Sequence, residues 1–387
     1  MRIAQLTDTF VPVADGVGRV VTAYADTLSN LGHQVTVSSP LYDTGFRGGY
    51  PFELVDYLGF KVPTAPQYRT GLAAMDRHYK RRMDMIPLDI LHAHSPFGAG
   101  MEGLRLTRQR KIPLVATFHS KYYDDFLKVT RSKTISKAMT ARVVRFFDRC
   151  DDVWAVSQSS GGVLAEYGFK GPIHVMQNGS DIRETTSVAV KEAEEQYQLG
   201  GLPVLLFVGQ LSWKKNIARI LEAAALLKRE DPRFRLVLTG QGEDTKDIKR
   251  KIETLNLGDQ AILTGMITTT RLLDALYKRA RLFVFPSLYD NSPMVIREAA
   301  AMATPSVVIK GSCSAEAIAD GKNGFVCLDE TESLYQILKR ALLDPALMEQ
   351  AGIAARNTIP VPWDRVLRDA VKRYEDVIRS HQAKSVR

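Results

Sequence analysis

Cysteine is scarce in this chain. There are three in 387 residues, Cys150, Cys313 and Cys327, at spacings that suggest no pair. That argues against a disulfide framework or a cysteine zinc site and suits a reducing cytoplasm. No apolar run approaches the roughly 18 residues that span a bilayer. The first strand-like run, Ile3-Ala-Gln-Leu6, begins almost at once and leaves no room for the apolar core of a signal peptide. No recognised nucleic-acid motif accompanies the basic charge, so nucleic acid is not the expected partner. What remains is the composition of a globular protein, 45% hydrophobic and 25% charged, long enough for two cores.

The charge is unevenly placed. Residues 61–149 carry 18 Lys/Arg and 7 Asp/Glu, a net of +11, whereas the whole chain is +9. A basic excess of this kind suits a solvated surface, an anionic acceptor or anionic lipid headgroups.

Along the chain, short apolar runs alternate with helical spacing. Val17, Val20, Val21, Tyr24, Leu28 and Leu31 recur on one helix face, and Gly32 is a plausible stop. Strand-like runs follow at 34–37, 90–93, 114–118, 153–156 and 173–176. A second series occupies 204–208, 236–238, 261–263, 282–285 and 306–309. Alternation of this sort predicts parallel sheets covered on both faces. The polar, acidic segment 180–198 is weakly patterned and is read as the boundary. The fold class is therefore α/β, with two doubly wound Rossmann-like domains facing a cleft. The first is expected over 1–182 plus 365–387, the second over 195–364. Ligand sites belong at the carboxyl ends of the strands.

Three segments there carry chemistry. Asp290-Asn-Ser-Pro-Met-Val-Ile-Arg-Glu298 follows an apolar strand and opens a helix. Two carboxylates and several free amides at one helix N-terminus make an anion site. Pro12-Val-Ala-Asp-Gly16-Val-Gly18-Arg19 follows the first strand, and its glycines allow a phosphate to approach the backbone. It is not a dinucleotide fingerprint, since Val21 stands where a third glycine belongs. The third, Phe207-Val-Gly209-Gln-Leu-Ser-Trp-Lys-Lys215-Asn, places Lys214 and Lys215 after another strand.

Together these segments resemble retaining glycosyltransferase family 4, whose signature is Glu-Pro-Phe-Gly-Leu-Val-Val-Leu-Glu. The GT-B fold follows from that resemblance, with the last helix, Trp363 to Ile378, crossing back to the first domain. Asp290 stands where the first glutamate is usual and would face the donor sugar. Glu298 would bind the nucleotide ribose, and the amides near Met294 and Val295 the diphosphate. Lys215, with Lys214 beside it, matches the family lysine that stabilises the leaving diphosphate. The partner arginine of the family is Gln210 here, a departure that Lys214 or Arg19 would have to cover.

The resemblance extends to smaller features. Gly16 and Gly18 would touch the diphosphate, Gly240 shapes the Gly-x-Gly turn, and Met266 follows the turn that meets the base. His119 aligns with a family histidine near donor sugar and acceptor. His94, in His92-Ala-His94-Ser-Pro-Phe, matches relatives that glycosylate lipids. His92 reads as a core histidine or a ligand, and alternation leaves it open. Tyr122 and Tyr123 fall where relatives place acceptor and membrane contacts. No metal or other cofactor is implied; three histidines without a carboxylate or cysteine ligand do not make a zinc site.

The function implied is transfer of a hexose, glucose in the first instance, from a nucleotide sugar, UDP favoured over GDP. The implied acceptor is a membrane glycolipid precursor such as diacylglycerol. The location implied is cytoplasmic, peripheral at the inner face of the membrane, through the basic stretch 61–149. The alternatives are a soluble sugar or polyol acceptor, and a non-catalytic sugar-nucleotide-binding subunit. Epimerases and phosphorylases share the fold, but no lysine-bound pyridoxal site is evident.

Overall fold

A computed structural model describes residues 1–11, 15–41, 48–62 and 65–385. Pro12, Val13 and Ala14 of the glycine loop lie outside the described residues, as do residues 63–64 of the basic stretch and 386–387 of the last segment.

The chain forms two compact units, Met1–Gly179 with Trp363–Arg387, and Ser180–Pro362. The strands of the first are β1 Arg2–Leu6, β2 Gln34–Pro40, β3 Glu53–Tyr57, β4 Gly59–Val62, β5 Ala65–Gly71, β6 Ile90–Ala93, β7 Leu114–Phe118, β8 Asp152–Ala155 and β9 His174–Val175. Seven of them make one sheet in the order β3-β2-β1-β6-β7-β8-β9, parallel throughout, while β4 and β5 pair as an antiparallel hairpin. Parallel neighbours need long crossovers, and helices supply them. The crossover Gly16–Asn30 buries Val20, Val21, Tyr24, Ala25 and Leu28, and Gly32 at φ +85° closes it, its N–H donating a hydrogen bond to the Ser29 carbonyl. Strands β6, β7 and β8 are buried along their whole length, as a sheet covered on both faces requires.

The second unit repeats the plan with β10 Val204–Val208, β11 Arg235–Thr239, β12 Ala261–Gly265, β13 Leu282–Val284, β14 Ser306–Ile309 and β15 Gly324–Cys327. Their order is β12-β11-β10-β13-β14-β15, again all parallel. Its core runs through Leu205, Phe207, Leu236, Leu238, Phe283 and Val307, all without solvent exposure.

One expectation needs correction, and some strands were not anticipated. Residues 180–198 are not a bare linker, and the second unit starts at Ser180 rather than 195. Helix Ser187–Gln196 lies there, burying only Ala189 and Ala193. Two small apolar residues leave little periodic signal. Ion pairs dock it instead: Arg271 with Glu192, Arg279 with Glu194, and Arg183 near its start bidentate to Asp274 at 2.7 and 2.9 Å. Strand β3 and the hairpin were not anticipated, because they are short, partly exposed and polar. Strand β15 hides behind the Asp320–Gly324 turn, where the glycine reads as a loop residue.

The last helix, Trp363–Ser385, belongs to the first unit. Tyr374 carries much of that attachment. Its ring is fully buried and stacks on Trp154 of β8 with centroids 5.1 Å apart, and its hydroxyl lies 2.5 Å from His92 Nδ1. Arg373 adds a bidentate pair to buried Asp152, two bonds of 2.8 Å. Among the described residues, no helix is long and apolar enough to cross a membrane. Tyr374→Ala should therefore destabilise the first unit by about 3–5 kcal/mol, the range for deleting a large buried ring. Urea unfolding followed by tryptophan fluorescence, with Trp154 and Trp363 reporting on this unit, measures it.

Candidate active site

Each sheet reverses its winding once, between β1 and β6 in the first unit and between β10 and β13 in the second. At such a point adjacent strands send their following loops to opposite faces, and a crevice opens at the carboxyl ends. Gly16, Gly18, His94, Lys214, Lys215, Asp290, Met294, Val295 and Glu298 follow the strands at these two places, whereas His119, Tyr122 and Tyr123 follow β7, Gly240 follows β11 and Met266 follows the edge strand β12.

In the second unit, β10 leads to a single 3-10 turn, Trp213–Lys215, which Asn216 ends at φ +59°. The Asn216 amide donates to the Pro286 carbonyl at 3.3 Å and to Asp329 at 2.8 Å, tying the loop after β10 to the loop after β13. Lys215 Nζ then meets Asp290 Oδ1 at 2.6 Å. The other carboxylate oxygen accepts from Ser287 Oγ at 2.6 Å. The pair is well shielded, with side-chain exposures of 12% and 20%. Coulomb attraction gains as water is excluded, so this is a firm contact rather than a loose surface pair. The Lys214 and Lys215 ammonium groups sit 4.6 and 5.3 Å from the Tyr289 ring centroid, within cation–π range. Gln210 is exposed, so the position of the family arginine carries no charge into this cluster.

Helix Met294–Ala301 follows the loop after β13, and no side chain caps it. Met294 and Val295 occupy its first turn, where amides lack partners within the helix. Glu298, one turn on, is buried and accepts from the Tyr277 hydroxyl at 3.1 Å. Gly240 follows β11 at φ +137°, and a methyl group there would stand 1.9 Å from the Gly209 carbonyl oxygen. Its glycine is required by close backbone approach, whatever else it touches. Met266 is half exposed just past Gly265.

In the first unit, Asp15 caps helix Gly16–Asn30 and its carboxylate accepts from the Gly18 amide at 2.6 Å. Gly18 thus spends its N–H inside the protein. Gly16 differs: it is exposed, and a methyl group there would meet nothing within 4 Å.

His94 lies just beyond β6 and His119 just beyond β7. His94 is buried and both its ring nitrogens are engaged, Nδ1 with His119 Nε2 at 3.0 Å and Nε2 with Gln5 Oε1 at 2.7 Å. It therefore acts on a ligand only through His119, which is partly exposed. Loss of hydration holds the His119 pKa down at about 3 and pushes His94 well below the usual histidine range. Both rings are neutral hydrogen-bonding groups at neutral pH. His92 is a core histidine, held by the Tyr374 and Thr117 hydroxyls rather than by backbone. Tyr122 is buried against Phe97, Phe118 and Phe126, and burial pushes its phenol far above the usual range. Tyr123 is half-buried, its amide donating to the Tyr167 hydroxyl at 3.2 Å. Among the described residues, no group of three His, Cys, Asp or Glu side chains is arranged to hold a metal ion.

Sequence reasoning missed Gln5, Asn216, Ser287 and Tyr289. Gln5 lies near the end of β1, Asn216 in the loop after β10, and Ser287 and Tyr289 in the loop after β13, which was the one available signal; none belongs to a residue type that announces chemistry.

Comparison with known proteins follows the same division. Residues 14–184 match the model described as Glycosyltransferase Family 4, and residues 190–358 match Glycosyl transferases group 1. Alpha-monoglucosyldiacylglycerol synthase of Streptococcus pneumoniae is 26% identical over 90% of this chain and 80% of that protein. A GDP-mannose-dependent alpha-mannosyltransferase of Corynebacterium glutamicum is 25% identical over 99% of this chain and 90% of its own. Among solved structures, Anabaena Alr3699/HepE in complex with UDP superposes with a TM-score of 0.76 at 19% identity, covering 96% of this chain and all of that one. Fold and matched segments define a glycosyltransferase of the GT-B class. The chain belongs to glycosyltransferase family 4.

The two glycines separate fold from ligand. Gly16→Ala should leave stability within about 0.5 kcal/mol of the parent, as for a surface change without special backbone need. Gly240→Ala should cost more than about 1 kcal/mol, because a side chain is incompatible with the native backbone. Calorimetric melting of the two variants beside the parent checks both.

Proposed function

We propose that this chain is a retaining, metal-independent hexosyltransferase. It moves glucose from a UDP-sugar to the hydroxyl of diacylglycerol or a related glycolipid precursor. The observation that carries the transferase chemistry is the cluster at the ends of β10 and β13. Lys215 is fixed against Asp290 at 2.6 Å, next to an uncapped helix start and buried Glu298. A held ammonium and aligned amides favour the charge that builds on a leaving diphosphate, at little reorganisation cost.

The reaction assigned to this site runs on one face of the sugar. The bond from the anomeric carbon to the diphosphate oxygen breaks while the acceptor oxygen bonds to the same carbon. The acceptor proton passes to the departing phosphate oxygen, so charge and atoms balance without a protein nucleophile. Asp290 holds sugar hydroxyls, Glu298 the ribose, and Lys215 with the Met294 and Val295 amides the diphosphate. Gln210 removes one positive charge from the usual set, and Lys214, 4.6 Å from the Tyr289 ring centroid, is the cation assigned to supply it.

A separate observation favours the lipid acceptor. Helix Lys133–Phe147 buries Ser136, Thr140, Val143, Val144, Phe146 and Phe147. Lys133, Lys137, Arg142 and Arg145 are exposed, none has an acidic partner among the described residues, and Ile135 and Met139 are exposed among them. Basic residues around apolar ones suit the boundary of an anionic bilayer. The similar synthase from Streptococcus pneumoniae is named for a diacylglycerol product, in keeping with this reading.

Lys215→Ala should lower turnover at least about 100-fold, the scale of losing one preorganised stabiliser. Glu298→Gln should weaken UDP-sugar binding by about 1.5–3 kcal/mol in calorimetry, as charge-assisted bonds become neutral ones. Slow release of free glucose from UDP-glucose by the parent distinguishes the enzyme from a binding subunit, which would hold the donor without turnover.

For the membrane face, the chain should sediment with anionic vesicles and not with neutral ones. Binding should weaken as salt rises, since each basic residue contributes about 1 kcal/mol near the surface. Arg142→Glu with Arg145→Glu should reduce recovery and leave donor binding unchanged. Equal recovery with both vesicle types, or none with either, would point to a soluble acceptor.

A further inference from the structure

Two loops at the carboxyl edge of the second sheet are joined at two adjacent points. Lys215 and Asn216 are neighbours in the loop after β10. Lys215 Nζ reaches Asp290 Oδ1 at 2.6 Å, and Asn216 Nδ2 donates to the Pro286 carbonyl at 3.3 Å, both in the loop after β13. The same nitrogen donates to Asp329 Oδ1 at 2.8 Å, beyond β15. A carbonyl and a carboxylate only accept, so the group facing both is the amide nitrogen and its orientation is settled. Asp329 is held in turn. Its carbonyl accepts from Arg219 at 3.0 Å, and the same guanidinium donates to Thr331 Oγ1 at 2.9 Å. Three strand-end loops therefore meet on one amide group.

The backbone agrees with this reading. Asn216 sits at φ +59°, where most side chains are strained and glycine is the default. Asparagine tolerates the conformation and brings an amide that glycine lacks. The Lys215 and Asn216 N–H groups close their turn onto the carbonyls of Ser212 and Trp213, each at 2.9 Å. On the facing loop, Ser287 Oγ accepts from the Tyr289 N–H at 3.3 Å and donates to Asp290 at 2.6 Å. Pro286 and Ser287 are buried. Each loop is ordered by its own bonds, and two links join them.

Those links respond differently to an anion. A diphosphate competes with Asp290 for the Lys215 ammonium, because both are negative. The bond from the Asn216 amide to the Pro286 carbonyl joins neutral groups and takes no part in that competition. Loops held by the ion pair alone would separate when Lys215 changed partner, and ordering them again would cost affinity.

We propose that Asn216 is a positioning residue for Lys215. It holds the loop after β10 against the loop after β13, so that Lys215 exchanges Asp290 for the donor diphosphate by side-chain rotation over a fixed backbone. This rests on the reading of Lys215 given above, and the experiment separates the two.

Asn216→Gly keeps the positive φ and removes only the amide side chain. Four full-length proteins are compared: the parent, Asn216→Gly, Lys215→Ala and the double variant. The readouts are affinity for UDP or GDP by calorimetry, glucose release from UDP-glucose, and melting temperature. Asn216→Gly should lower kcat about tenfold, the scale of one neutral hydrogen bond, with a smaller change in KM. Lys215→Ala should then cost about ten times less in that background than in the parent, because groups that act together are not additive. Diphosphate affinity should show the same non-additivity. A residue that only stabilises the fold lowers the melting temperature and leaves the two losses multiplicative. Multiplicative losses, or an Asn216→Gly with parental kcat, overturn the proposal.

A second measurement needs no variant. In hydrogen exchange on the parent, read by mass spectrometry, residues 212–216 and 287–290 should be no less protected with saturating UDP than without it. Loss of protection in either segment means that the ion pair was the tie, and overturns the proposal. A parent that binds neither UDP nor GDP, or a Lys215→Ala that matches the parent in affinity and glucose release, defeats the reading of Lys215 and the exchange of partners with it. A damaging Lys215→Ala with multiplicative losses strikes the role of Asn216 alone.

Discussion

The parallel ladder is the constraint on which the rest depends. Two parallel neighbours cannot be joined by a tight turn, so the chain must leave the sheet after each strand, cross over, most often through a helix, and return to the same end. Every strand-to-helix loop in a unit therefore falls on one edge. In the second unit that edge collects Lys215, Gly240, Met266, Asp290 and the helix that carries Glu298. In the first it collects Asp15, Gly16, His94 and His119. No residue was selected into these places one at a time. The topology delivers strand ends to a common edge, and chemistry is written on whichever side chains arrive there. It also explains why the core is blunt in its demands: Leu205, Phe207 and Phe283 need only be apolar and close-packed.

Burial then changes what the delivered side chains are. Three histidines in water would titrate near neutrality, but His92, His94 and His119 are held neutral by loss of hydration. They become fixed hydrogen-bonding groups with a direction. The device at Lys215 is an ion pair. Its ammonium lies 2.6 Å from Asp290, and Asp290 is in turn anchored by Ser287. One unit thus offers a neutral, oriented ring and the other a shielded, countered charge. Both devices lower the reorganisation needed when a charged or hydroxylated ligand arrives.

How much of this was legible depended on the kind of signal. The sheet strands with long apolar runs, Leu114–Phe118 and Val204–Val208, stood out because both faces are buried. Strand β3 and the hairpin did not, since partial exposure breaks up the run. Helix Ser187–Gln196 was read as linker because ion pairs dock it, and ion pairs leave no periodicity. Among the candidate residues, those with a strong chemical identity drew notice in the sequence: Lys215, Asp290, Glu298, His119. Those whose place is geometric did not. Gln5 looks like any polar residue in a strand, and only its partners 89 and 369 positions away set it apart. Asp15 was quoted in the glycine loop, yet that it would take the Gly18 amide was not readable.

The departures from the family pattern have a common physical direction. An aspartate is one methylene shorter than the usual glutamate, and at Asp290 both oxygens are already met by Lys215 and Ser287. The carboxylate is thus drawn toward the lysine. Gln210 meanwhile takes away the positive charge that an arginine would bring. Retaining the usual glutamate reach with one cation fewer would leave a lone lysine between two competing anions, the carboxylate and a diphosphate. The shorter acid, with a serine sharing its charge, reduces that competition. Lys214 lies 4.6 Å from the Tyr289 ring centroid and keeps a second ammonium at these strand ends. Glutamate to aspartate leaves the charge unchanged, so the glutamine at 210 lowers the positive charge at these strand ends by one, and Lys214 and Lys215 beside Tyr289 are the ammonium groups gathered there.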